Sequence, residues 1–205
     1  MFSPDSKIMM IITRITDLIV LNILFIITCL PVFTIGAATT ALYTMCFRLM
    51  REEYRGITRS YLQAFRSNFK QSTLIWGILL VIGGPAVYYL TQLLAVSGIV
   101  SYFSFIFVLI LAACCMTGGY VFPWISQFEN SAGQALKNAL ILSISRLPRT
   151  AAILMINLLP LIVWVIDPEL FLQISFLWVA LYFSAAAYMN TGILWHAFKP
   201  YRNTP

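Results

Sequence analysis

The chain has 205 residues, 60% of them hydrophobic and 10% charged, with 13 Lys+Arg against 7 Asp+Glu. With a mean hydropathy of +0.87, it is too apolar for a soluble globular domain and suits one polytopic membrane domain over 1–205. The surplus of base flanks apolar runs, which points to a membrane surface and argues against nucleic acid.

The first apolar stretch, Ile15–Phe47, is long for one span and short for two. Lys7 and Arg14 precede it, and Arg48, Arg51, Arg55, Arg59, Arg66 and Lys70 follow it. A hairpin keeps both groups on one side, whereas a single helix would separate them. Pro31 disfavours helix at Leu30, and Gly36 supplies turn freedom. Helices are therefore expected over 8–30 and 36–52. The alternative is five spans with the N-terminus outside.

Glu52–Gln71 reads as an amphipathic helix on the basic surface, with Tyr61, Leu62, Phe65 and Phe69 at helical spacing. A third span is expected over Ser72–Leu94 and a fourth over Ser101–Phe128. A second amphipathic stretch follows at Glu129–Arg149, then a fifth span at Thr150–Ile166. Asp167-Pro168-Glu169 should turn, the sixth span should run from Leu170 to Trp195, and Lys199–Pro205 form a basic tail. Three gaps carry no base: Leu30–Gly36, Thr91–Tyr102 and Ile166–Leu170. Threading the chain back and forth puts all 13 Lys+Arg on one face. The expected fold is an all-α membrane protein with six transmembrane helices, a Pro-broken first hairpin and two amphipathic stretches. The positive-inside bias makes the basic face cytoplasmic, with both termini there. Trp76, Trp124 and Trp195 should lie near the basic ends, and Tyr88, Tyr89, Tyr102 and Trp164 near the opposite ends. The basic-then-apolar start reads as a retained helix and not as a signal peptide, because no small-residue cleavage site closes it.

Little in the chain suggests chemistry. His-Glu-x-x-His, Gly-x-Ser-x-Gly, a Walker lysine and Gly-x-Gly-x-x-Gly are all missing, so no catalytic, cofactor-binding or metal residues are assigned. His196 reads as an interface residue. Cys29, Cys46, Cys114 and Cys115 lack metal or disulfide spacing and read as small packing residues. Four polar residues fall inside spans and are candidates for function: Asp17, Asn22, Asn157 and Asn190. Asp17 is expected to pair with Arg14, three residues before it. The amides are expected to bond across helices. Gly83-Gly84-Pro85, Gly118-Gly119 and Asn157-Leu158-Leu159-Pro160 could interrupt three consecutive spans, as broken helices do in transporters; the enrichment of Gly and Pro in membrane helices explains them equally well. In Glu129–Pro148 the stripe Leu136, Leu140, Ile144 and Leu147 is a candidate docking face for a partner, with Lys137, Asn138, Ser145 and Arg146 expected to face elsewhere. Membrane lipid is the competing occupant of that face.

The run Leu21–Tyr43, with Asn22, Pro31, Thr34, Gly36, Thr39 and Thr40, resembles the signature of the YesL-like family of small bacterial membrane proteins. Tyr61–Lys70, Ala135–Ala139 and Leu147-Pro148 extend the resemblance. It implies an auxiliary, non-enzymatic part in carbohydrate ABC uptake in Gram-positive bacteria, with a sugar transporter permease or ATPase as partner, and carries no catalytic residues. The loop between the fourth and fifth spans is also similar to the ATPase-docking loop of sugar ABC permeases, at Glu129, Gly133, Ile144 and Leu147-Pro148. The spacing departs from that motif: Asn130-Ser131 stands where Ala-Ala is expected, Glu129 to Gly133 is short, and Ile144 is one residue too far from Leu147. The alternative is therefore a permease-like subunit that forms the saccharide path itself and docks an ATPase through 129–148.

Overall fold

The computed structural model describes residues 7–54, 56–94 and 103–202. Arg55 and most of the gap Thr91–Tyr102, Tyr102 included, lie outside the described residues. The described elements are helices: α1 (Lys7–Cys29), a 3₁₀ turn (Val32–Thr34), α2 (Ile35–Arg51), α3 (Ile57–Leu94), α4 (Ser104–Ile125), α5 (Ala132–Ser145), α6 (Leu147–Ile166), α7 (Pro168–Gln173) and α8 (Ser175–Leu177), then a π-helical turn (Trp178–Tyr182) and α9 (Phe183–Arg202). Among the described residues six helical segments are long and apolar enough to cross a membrane, so the chain is an all-α membrane protein.

The first hairpin forms as the charge argument requires, with each helix within a residue of its expected bounds. Leu30 and Pro31 leave the helix, and Thr34 closes the turn by donating its hydroxyl to the carbonyls of Thr28 and Pro31, each at 2.6 Å. At its other end α2 stops on Glu52, whose φ of 59° is left-handed. The Arg14 guanidinium meets the Glu52 carboxylate at 2.8 Å.

Among the described spanning helices α2 is the most buried. Its N-terminus presses on α3: a Cβ added to Gly36 would lie 2.5 Å from the Ser72 carbonyl oxygen and 2.7 Å from Trp76 Cβ. One turn on, the Thr40 and Ser72 hydroxyls meet at 2.8 Å. Hydrophobicity gives helices little reason to associate within lipid, so small residues and interhelical hydrogen bonds do that work. Phe122 on α4 lies 3.0 Å from the same Gly36 Cβ position. Trp124, two residues on, packs edge-on against Phe198 at 5.4 Å, and Phe198 stacks on Phe47 at 6.1 Å.

The seat of α2 on α3 brings together two features expected on opposite faces. Trp76 Nε1 donates to the Val32 carbonyl in the hairpin turn at 2.8 Å. Trp76, six residues after Lys70 on the unbroken α3, is thus also a contact of the Leu30–Gly36 gap.

Three further expectations are corrected. Glu52–Gln71 is not a separate surface helix: from Ile57 it runs unbroken into the third span as one helix of 38 residues. No Gly or Pro punctuates the junction, and Tyr61, Ala64, Ser72 and Ile75 are buried together along it. Gly83-Gly84-Pro85, Gly118-Gly119 and Pro160 do not interrupt their helices, which continue through all three sites. The break falls instead in the expected sixth span. Asp167 caps α7 by accepting the Leu170 amide at 2.9 Å, the chain turns at Ile174, and α9 is entered through the π-turn.

Candidate functional site

The four intramembrane polar candidates fall into three places. Asp17 does not pair with Arg14, whose guanidinium donates to the Leu49 carbonyl at 2.5 Å and to Glu52. The end of α2 is simply closer to that guanidinium than its own helix neighbour is. Asp17 instead accepts the Tyr54 hydroxyl at 2.6 Å. This hydrogen bond, helped by partial burial, raises the Tyr54 phenol above its ordinary pKa.

Asn22 is fully buried and clamps the π-turn. Its Nδ2 donates to the Val179 carbonyl at 2.5 Å, and its Oδ1 accepts the Ser184 amide at 2.9 Å. Asn157 and Asn190 come together: Asn190 Nδ2 donates to Asn157 Oδ1 at 2.8 Å and to the Tyr43 hydroxyl at 3.2 Å. Asn190 Oδ1 is buried without a partner. Tyr43 and Asn157 line an otherwise mainly apolar groove of about 670 Å³ between α2, α3, α4 and α6. The signature residues Pro31 and Gly36 shape the hairpin turn and its seat on α3. His196 lies on the outside of α9 with Nδ1 3.3 Å from the Gly192 carbonyl of its own helix. Among the described residues no group of three His, Cys, Asp or Glu side chains could hold a metal ion.

α5 is fixed by a capping box. The Ser131 hydroxyl accepts the Gln134 amide, and the Gln134 side chain accepts the Ser131 amide. Ala135, Ala139, Leu142 and Ser143 face inward. Leu136 packs partly against the core, while Leu140, Ile141 and Ile144 are exposed. The stripe expected there is thus split. Leu147, also exposed, starts α6 because Pro148 suits a first helical turn. Lys137, expected on another face, is exposed and lies between Leu140 and Ile141 around the helix.

Sequence reasoning missed a polar cleft of about 690 Å³ beside α5, between α2, α3 and the 126–131 connection. Arg48, Asn68, Gln71, Glu129, Asn130 and Gln134 line it. Gln71 Nε2 donates to the Asn130 carbonyl at 2.7 Å, and Asn68 Nδ2 to the Ala64 carbonyl at 3.0 Å. Among the described residues the guanidinium of Arg48, half-buried, and the carboxylate of Glu129 make no hydrogen bond or ion pair.

A family model described as "Protein of unknown function, DUF624" matches residues 18–90. The match covers the second half of α1, all of α2 and nearly all of α3, and with them Asn22, Pro31, Gly36, Arg48 and Ser72. No curated protein matches the chain. No solved structure matches it either.

Proposed function

We propose that the chain is a YesL-like, non-enzymatic integral membrane protein of a Gram-positive bacterium, auxiliary to a carbohydrate ABC uptake system. In this reading it sits in the cytoplasmic membrane with the basic face, the N-terminal segment and the C-terminal segment inside, and its partner is a sugar transporter permease or ATPase. The unknown-function match at residues 18–90 agrees with the sequence resemblance, and the resemblance supplies the link to sugar uptake. The observation that carries a partner-binding role is the outer face of α5, where Leu140, Ile141 and Ile144 stand exposed at the basic end beside Leu147. Inward packing of α5 is met by Ala135, Ala139 and Leu142, so those four side chains are not spent on the fold. An apolar helix face flanked by Lys137 suits a groove on a partner.

The competing reading is a permease-like subunit that carries the saccharide itself. The groove holding Tyr43 and Asn157 favours it, since those polar groups lie within the spanning segments. Co-purification separates the two. Leu140→Ser combined with Ile144→Ser should release a transporter subunit while membrane abundance stays unchanged. A retained partner would sink the docking role. Saccharide transport by the purified chain alone in liposomes would establish the carrier.

A further inference from the structure

We infer that the amide-lined cleft at the basic end binds an anionic polyol: a sugar or glycerol unit carrying one phosphate or carboxylate. This inference is independent of the docking role and rests on which hydrogen-bonding groups the cleft leaves unused. Gln71 and Asn68 each give an NH₂ to a backbone carbonyl. A carbonyl can only accept, so both amides are fixed in orientation, with Gln71 Oε1 and Asn68 Oδ1 left as acceptors. Glu129 adds a carboxylate that accepts only. Acceptors of this kind take hydroxyl donors. Gln134 uses its oxygen on the Ser131 amide at 3.3 Å and keeps its NH₂ for a ligand oxygen. Arg48 contributes one guanidinium with five donors and no partner among the described residues. A half-buried cation so placed calls for one anionic group, and the planar fork suits phosphate or carboxylate.

The rest of the lining agrees. Thr44, Ser67, Ser126 and Ser131 bring hydroxyls, and few large apolar side chains compete. The volume of about 690 Å³ lies in the ordinary range for small-molecule sites. The groups come from α2, α3, the 126–131 connection and α5, so the cleft exists only when all four pack. Two sources carry this chemistry: a soluble sugar phosphate or uronate, and the phosphoglycerol headgroup of an anionic lipid.

The test uses the full chain in phosphatidylcholine nanodiscs, read by thermal unfolding. Glucose 6-phosphate and glucuronate should raise the midpoint saturably, while glucose and inorganic phosphate at the same concentration should need at least tenfold more for the same shift. In nanodiscs containing phosphatidylglycerol, a midpoint already raised and no further response to the soluble ligands would assign the site to the headgroup. An undiminished response there would assign it to the soluble ligand. Arg48→Gln should cost at least tenfold in apparent affinity. Gln71→Leu, which keeps the cation, should weaken glucose 6-phosphate more than inorganic phosphate. If every compound shifts the wild-type midpoint equally, or none does in either lipid, the inference is wrong, whatever the variants do.

Discussion

The carboxamide of Asn22 stands where Ser184 would otherwise complete a backbone hydrogen bond. In a π-type turn the Ser184 amide would reach the Val179 carbonyl five residues back. Asn22, from a helix far away in sequence, bridges that pair with one donor and one acceptor. A side chain inserted into a helix ladder is a recognised cause of local distortion, and here it ties α1 to the last helix.

Asn22→Leu keeps similar volume but leaves both backbone groups unpaired away from water. The expected loss is about 2–4 kcal/mol, read as a lower midpoint in detergent unfolding. Asn22→Asp, when ionised, turns a buried carboxylate on the Val179 carbonyl with no donor, so at neutral pH it should cost at least as much as Asn22→Leu. Unchanged stability in Asn22→Leu would mean the π-turn stands without the clamp.

Glycines in this fold should differ sharply in their tolerance of alanine. At Gly36 the new methyl would sit 2.5 Å from the Ser72 oxygen, a backbone atom that cannot step aside. Gly36→Ala should cost about 1–3 kcal/mol through overpacking. At Gly83 and Gly84 a Cβ meets nothing within 4 Å. Alanine there should be neutral or gain up to about 1 kcal/mol from helix propensity. Loss of stability at Gly83 or Gly84 comparable to that at Gly36 would restore the broken-helix reading of α3.

The Tyr54–Asp17 hydrogen bond makes a pH-dependent prediction. The folded phenol titrates above its ordinary value of 10.0, so its contribution is full below about pH 10 and is lost as pH rises through the folded value. Tyr54→Phe should therefore be less stable than the parent at pH 8, and the difference should shrink as the pH is raised above 10. A difference that stays constant across that range would show that the hydroxyl contributes nothing through Asp17.

Charge and proline made the first hairpin legible: base before and after Ile15–Phe47 required two helices, and Pro31 placed the break. The continuity of α3 was not legible, because a change from basic to apolar composition resembles a boundary although nothing between Tyr61 and Ser72 breaks a helix. The π-turn depends on Asn22, more than 150 residues away, and no local pattern records it. The Asn157–Asn190 contact fits the general expectation that amides bond across helices, but Tyr43 as their third member needed the fold. The cleft was invisible because its groups are scattered from Thr44 to Gln134 and each one looks like an ordinary polar residue.

We propose that this chain assists carbohydrate uptake without being the carrier. The most direct test is uptake of labelled oligosaccharide in a strain lacking this chain but retaining an intact ABC permease and ATPase. Uptake should fall in that strain and return on re-expression of the wild type, but not of the Leu140→Ser/Ile144→Ser double variant at equal membrane abundance. Uptake that is unchanged in the deletion strain would contradict it.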